Sequence, residues 1–144
     1  MIVIAHRGNT EGPSELENSP GQIGLALKMG YDVEIDVRYI EGKWYLGHDL
    51  PQHEVQAEFL NQNGLWCHAK NIDALYELMK LGIRCFWHQE DDVTLTSCGH
   101  LWTYPGKELT ARSICVMPEN VGIKSLKGVV GVCTDFPGSW RADV

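Results

Sequence analysis

Hydrophobic and polar positions along this chain fall into short blocks, and most of the blocks read as strands. Ile2-Val3-Ile4-Ala5 is an apolar run that ends abruptly in His6-Arg7-Gly8. Val33-Glu34-Ile35-Asp36-Val37 alternates with period 2, so Glu34 and Asp36 share one face and Ile35 and Val37 the other. Strand-like runs fall at 2–6, 32–38, 64–69, 83–88, 100–104, 113–117 and 129–134. Tyr39 to Leu46 reads as a hairpin turning at Glu41-Gly42. Such a hairpin would carry Gly47-His48-Asp49 back toward the end of the strand bearing Asp36.

Helical patterns are fewer. Ser19 to Met29 has Ser19 as N-cap, Pro20 at the first position and Gly30 as stop. In Asn71 to Leu81, Asn71 caps, Ile72, Leu75, Leu78 and Met79 form the apolar stripe, and Gly82 ends the helix. A short third helix is predicted over Glu119 to Leu126. Segments 89–99 and 105–112 are too short for ordinary crossover helices. The alternation of strands with helices favours a parallel sheet. A chain of 144 residues is read as one domain, 1–144, long enough to bury a sizeable core.

A net charge of -7 disfavours nucleic acid and anionic membrane as partners. No apolar run approaches the ~20 residues of a membrane span, and the first residues lack the basic start of a signal peptide. A soluble, cytoplasmic protein is expected. Cysteines 67, 85, 98, 115 and 133 are odd in number and show no Cys-x-x-Cys spacing. All but Cys98 fall on strand runs, so they read as buried reduced thiols rather than a zinc cluster.

The chemistry suggested by these patterns starts from Glu34 and Asp36. Two carboxylates on one face of an apolar strand repel each other and are costly to bury. A divalent cation would remove that cost, whereas a solvent-facing strand would not incur it. His6 adds a proton-transfer group and Arg7 an anion-binding fork. Together they point to metal-assisted chemistry on a phosphate.

His6-Arg7-Gly8, Glu17-Asn18-Ser19-Pro20, Glu34-Ile35-Asp36-Val37 and Gly47-His48-Asp49 follow one another in an order and spacing that resembles the glycerophosphodiester phosphodiesterases. These belong to the phosphatidylinositol-phospholipase-C-like phosphodiesterase superfamily. Val132-Cys133-Thr134-Asp135-Phe136-Pro137 looks like that family's closing strand. The resemblance implies an α/β fold, a TIM-type (β/α) barrel with its site at the C-terminal strand ends. Because such barrels run to about 250 residues, a compact, shortened barrel with several helices replaced by loops is expected. The resemblance further implies a phosphoric diester hydrolase acting on a glycerophosphodiester-type small molecule. His6 and His48 would be its acid and base, Arg7 would hold the phosphate, and Glu34 and Asp36 would bind Mg or Ca.

The chain departs from the family on the third strand, where Glu-x-Lys is usual. His68-Ala69-Lys70 stands there instead. Lys70 then joins Arg7 as a substrate-binding cation, and His68 becomes the third metal ligand. Imidazole favours softer ions, so Mn or Zn enters beside Mg and Ca. Glu119 is the other candidate for the third ligand. His88, Trp102, Tyr104 and Asp135 are either cavity residues or ordinary core and loop positions. An inactive relative that binds a phosphorylated ligand, or a bare scaffold, are the rival functions. Retention of both His6 and His48 favours the enzyme. A homodimer is expected, because the apolar runs at 83–87 and 128–133 would otherwise lie bare on the outside of a barrel short of helices.

Overall fold

A computed structural model describes residues 1–141. Ten strands follow one another as β1 (Ile2–His6), β2 (Asp32–Ile40), β3 (Lys43–Leu46), β4 (His53–Val55), β5 (Leu65–Ala69), β6 (Cys85–Phe86), β7 (Val93–Leu95), β8 (Leu101–Thr103), β9 (Ser113–Val116) and β10 (Gly131–Thr134). Three short helices interrupt them: α1 (Pro20–Lys28), α2 (Ala57–Leu60) and α3 (Ile72–Lys80). All the strands belong to one sheet, in the order β4-β3-β2-β1-β10-β9-β8-β7, with β5 also paired to β2 and β6 to β5.

The expected TIM-type (β/α) barrel is not the fold. The sheet is mixed and curls as a half-barrel. Parallel ladders join β1 to β2 and β10, β10 to β9, β9 to β8, β2 to β5 and β5 to β6. Antiparallel ladders join β2 to β3, β3 to β4 and β7 to β8. No ladder closes β6 onto β7 among the described residues. Three hydrogen bonds meet there instead: Ser97 N–H to the Cys85 carbonyl (2.8 Å), Cys85 N–H to Ser97 Oγ (2.9 Å), and Thr94 Oγ1 to the Trp87 carbonyl (2.7 Å). The reason lies in the second half of the chain. Its connections lack an apolar stripe that a helix could bury. Most positions there that alternate with the inward set are small or polar, with Thr103, Ser113, Cys115 and Thr134 buried and Val132 the apolar exception.

The local predictions fare variously. Ser19 caps α1, its Oγ accepting from Gln22 N–H at 3.3 Å, and Asn71 caps α3, accepting from Ala74 N–H at 3.0 Å. The hairpin turns at Glu41 and Gly42, with φ of 51° and 79°, the positive values that two-residue hairpin turns need. No α-helix forms over Glu119 to Leu126. A single 3₁₀ turn, Pro118–Val121, stands there between Met117 and Gly122, both with positive φ.

Two layers form the core. One face of β1, β2 and β5 (Ala5, Val33, Ile35, Val37, Cys67, Ala69) packs on Ile23 and Ala26 of α1 and Ala74 and Leu78 of α3. The inner face is floored by Ile4, Trp66, Phe86, Trp102, Ile114 and Cys133. Phe86 and Trp102 stack at 4.5 Å, and Trp66 lies 5.6 Å from Trp102. Cys67, Cys85, Cys115 and Cys133 are buried and free, while Cys98 is exposed. Burial pushes the four buried thiols up, so they pack as small apolar groups. Of the two apolar runs that motivated a homodimer, Ile83, Cys85, Phe86, Val132 and Cys133 are buried within the one chain, while Trp87, Val129 and Val130 are half-buried. Among the described residues no helix is long and apolar enough to cross a membrane.

Candidate active site

The site follows from period 2 along the inner face. Residues two positions beyond the apolar floor reach the open end of the curl. Ile4 leads to His6, Trp66 to His68, Phe86 to His88, Trp102 to Tyr104 and Cys133 to Asp135. Glu34 and Asp36 enter the same space from β2, which runs between β1 and β5. A cavity of about 380 Å³ is lined by His6, Arg7, Glu34, Asp36, His48, His68 and Lys70, with His88, Trp102, Tyr104 and Asn120 among its far wall. The catalytic, phosphate-binding and metal-ligating candidates of the sequence thus share one cavity.

Glu34 and Asp36 are 2% and 1% exposed, so these two acids face the interior and not solvent. The Asn18 amide, at a φ of 62°, clamps Asp36. Its Nδ2 donates to Asp36 Oδ2 and its Oδ1 accepts the Asp36 N–H, each at 2.9 Å. Arg7, at a φ of 56°, turns back from the end of β1 and brings Nε to 3.4 Å from Asp36 Oδ2. Burial opposes ionisation of Asp36, but His68, the Asn18 amide and Arg7 outweigh it and hold the carboxyl below its ordinary range. Glu34 has no such clamp. Its Oε2 is buried without a hydrogen-bond partner. Burial first, and the Asp36 charge second, push Glu34 up to about 8.

His68 faces both acids through Nδ1, 3.5 Å from Asp36 Oδ1 and 4.0 Å from Glu34 Oε1. Its Nε2 donates to the His88 carbonyl at 3.3 Å, and its ring stacks on Phe86 at 4.7 Å. Burial pushes His68 down to about 4, so at neutral pH the ring is uncharged and Asn18 and Arg7 hold Asp36 ionised. With Nε2 carrying the proton, the Nδ1 lone pair points at two carboxylates. One ligand atom from each of Glu34, Asp36 and His68 lies within 4.8 Å of the others. An unpartnered carboxylate oxygen and an inward lone pair are the features a cation would satisfy, and this donor set fits a divalent metal.

His6 is set differently. Its Nδ1 meets Asp135 Oδ1 at 2.8 Å, and Nε2 lies 3.6 Å from Glu34 Oε2. Burial lowers its affinity for a proton, yet the Asp135 hydrogen bond and the Glu34 and Asp135 charges outweigh that and hold the imidazole above its ordinary value. Asp135 also accepts from Asn9 Nδ2 at 2.9 Å, and Asn9 donates to Glu17 Oε2 at 2.7 Å. Glu17 pairs with Arg7 at 3.2 Å. Glu119 accepts from Thr134 Oγ1 at 2.8 Å and from the Asp135 N–H at 3.0 Å. It therefore braces the end of β10 and stands apart from the acid pair, so His68 and not Glu119 supplies the third ligand-type side chain.

His48 sits on the loop after β3. Arg38 holds that loop by donating from Nη2 to the His48 carbonyl at 2.6 Å and from Nε to the Gly47 carbonyl at 3.3 Å. The imidazole is partly exposed, with Nδ1 at 2.7 Å from Asp49 Oδ1. Lys70 follows His68 on the same side and has its N–H on the Val37 carbonyl at 2.8 Å. On the far wall, His88 stacks on Tyr104 at 3.6 Å, and burial raises the Tyr104 phenol so that it stays a neutral donor. Trp102, 2% exposed, belongs mainly to the floor.

Sequence reasoning assigned no role to Asn9, Glu17 or Asn18. The signal for Asn18 and Glu17 was present in Glu17-Asn18-Ser19-Pro20, but nothing local says that Asn18 reaches a strand. Comparison with protein families, with curated proteins and with solved structures finds no match for this chain.

Proposed function

We propose that this protein is a metal-dependent phosphodiesterase of the glycerophosphodiester phosphodiesterase type, hydrolysing a small phosphodiester by two-histidine acid–base catalysis. One observation carries the reading. A buried acid pair with an inward-facing imidazole shares a cavity with two cationic side chains and three further histidines, His6, His48 and His88. Neither acids alone nor cations alone would suit a phosphodiester. The combination provides for both the anion and the proton transfers.

Glu34, Asp36 and His68 are the residues that would hold the cation. When bound there, a divalent ion would polarise a phosphoryl oxygen and offset its charge. Arg7 and Lys70 bind and orient the phosphate. One of His6 and His48 takes the proton from the attacking water or neighbouring hydroxyl of the substrate. A new P–O bond forms, the P–O bond to the departing alcohol breaks, and the other histidine delivers its proton to that oxygen. Asp135, fixed by Asn9 and Glu119, keeps His6 in one tautomer with Nε2 turned into the cavity. A cytoplasmic setting accords with five free cysteines, four of them buried.

Hydrolysis of bis(p-nitrophenyl) phosphate and of glycerophosphocholine, each across a panel of divalent metals, tests the proposal. Metal-dependent turnover that His6→Ala abolishes is the expected result. Phosphate-ester binding without turnover under any metal would favour an inactive binder and overturn the enzyme.

A further inference from the structure

The acid pair does not by itself say which cation belongs in the centre; the third side chain does. His68 differs from a flexible surface histidine in three respects. Its ring is fixed flat on Phe86, with 22° between planes. Its Nε2 proton is committed to the His88 carbonyl. Its other ring nitrogen, Nδ1, faces Asp36 Oδ1 at 3.5 Å and Glu34 Oε1 at 4.0 Å. The His88 end of that bond is also fixed, since the His88 ring stacks on Tyr104 and its Nε2 engages the Asp91 carbonyl at 2.6 Å. An imidazole whose outer nitrogen is hydrogen-bonded to a carbonyl, and whose inner nitrogen is bare, is the usual arrangement of a metal-bound histidine.

We infer that the centre formed by Glu34, Asp36 and His68 is built for a first-row transition dication of the Mn²⁺ to Zn²⁺ class, ligated through His68 Nδ1, and not for Mg²⁺ or Ca²⁺. This rests on the metal site of the proposed phosphodiesterase, though not on its activity. Mg²⁺ and Ca²⁺ take oxygen ligands, and Mg²⁺ keeps several of its waters. A pre-oriented nitrogen gains them little, while the transition ions gain a strong bond. Two carboxylates neutralise the dication, and the cavity beyond leaves positions open for a phosphate oxygen. The His68 ring cannot swing away without losing the Phe86 stack and the His88 hydrogen bond.

Any mixed nitrogen–oxygen site favours transition ions to some extent. The decisive quantity is therefore the change when the nitrogen is replaced. Calorimetric titration of the metal-free full chain with MnCl2 and MgCl2 is compared between the native protein and His68→Glu. The preference for Mn²⁺ should fall about tenfold or more in His68→Glu, the range seen when a ligand environment is disturbed. Pulsed electron paramagnetic resonance of bound Mn²⁺ gives an independent readout. Coupling to an imidazole ¹⁴N is expected in the native protein and lost in His68→Glu. Circular dichroism confirms that the variant is folded, and His68→Gln serves in its place if it is not. An unchanged Mn²⁺ to Mg²⁺ ratio, or native Mn²⁺ without ¹⁴N coupling, overturns the inference. Metal binding as expected with no diester turnover overturns only the proposed activity. Failure of both ions to bind overturns the inference and the metal part of that activity together.

Discussion

Replacing Glu34 by an amide that cannot titrate should give the metal-free protein a pH dependence of stability between pH 4.5 and 6.5 that the native protein lacks. Folded Glu34 keeps its proton up to about 8, against an ordinary 4.5. Its contribution is fully present below pH 4.5 and is lost as pH rises from there to 8. Folded His68 refuses a proton down to about 4, against an ordinary 6.5. Its contribution is present above pH 6.5 and is lost as pH falls toward 4. Between pH 4.5 and 6.5 the two slopes oppose each other, each worth roughly 1.4 kcal/mol per pH unit. The native profile is therefore nearly flat there. Above pH 6.5 only the Glu34 loss remains, about 2 kcal/mol by pH 8, and His6, held above its ordinary value, adds to it in the same direction. In Glu34→Gln the opposition disappears. That variant should lose about 3 kcal/mol between pH 6.5 and 4.5 and fall less steeply above 6.5. Urea denaturation in chelator at half-unit pH steps measures both profiles. Superimposable curves would mean that Glu34 is not a buried, proton-holding group, and the account of the metal site built on its unpartnered oxygen would go with it.

Asp135→Asn should lower kcat on bis(p-nitrophenyl) phosphate by on the order of 10²-fold with KM little changed, because His6 loses the carboxylate that fixes its tautomer. A folded variant with native kcat and an unshifted pH–rate profile would remove Asp135 from the machinery. Gly47→Ala should cost about tenfold or more in turnover while leaving the sheet intact. Gly47 sits at a φ of 152°, and a Cβ there would overlap the Leu50 carbonyl oxygen, so the loop carrying His48 must move. Native turnover with a displaced His48 ring resonance would show that His48 is not needed in place.

The parts of the site that could be read from the chain are those that depend on period 2 and on local turns. Glu34 and Asp36 on one face, the Glu41-Gly42 turn that returns His48, and the caps at Ser19 and Asn71 are all local statements, and the structure agrees with them. What escaped is tertiary. Asn18 reaches Asp36 across 18 residues from a left-handed backbone position, and Asp135 reaches His6 across 129. No pattern within a window of ten residues encodes either contact. β7 escaped because Val93 and Leu95 are exposed and its partner lies after a reverse turn, so alternation there marks no core. β4 and α2 are short, three and four residues, below the length at which periodicity can be counted. The barrel implied by resemblance failed in the second half of the chain, where the connections carry no helix-forming stripe and buried Ser, Thr and Cys let loops do the covering.

The three ligand-type side chains and the residues that brace His6 come from opposite ends of the chain. Glu34, Asp36 and His68 all lie in the first half, on β2 and β5, which pair directly in parallel. Asp135 and Glu119, which steady His6, arrive much later. On a ribosome adding 5–20 residues per second, the segment through His68 precedes the segment through Asp135 by roughly 3 to 13 seconds. The segments that carry the three ligand-type side chains thus exist before the segment that braces His6, and on the proposed reading metal holding and proton transfer are set by separate parts of the sheet.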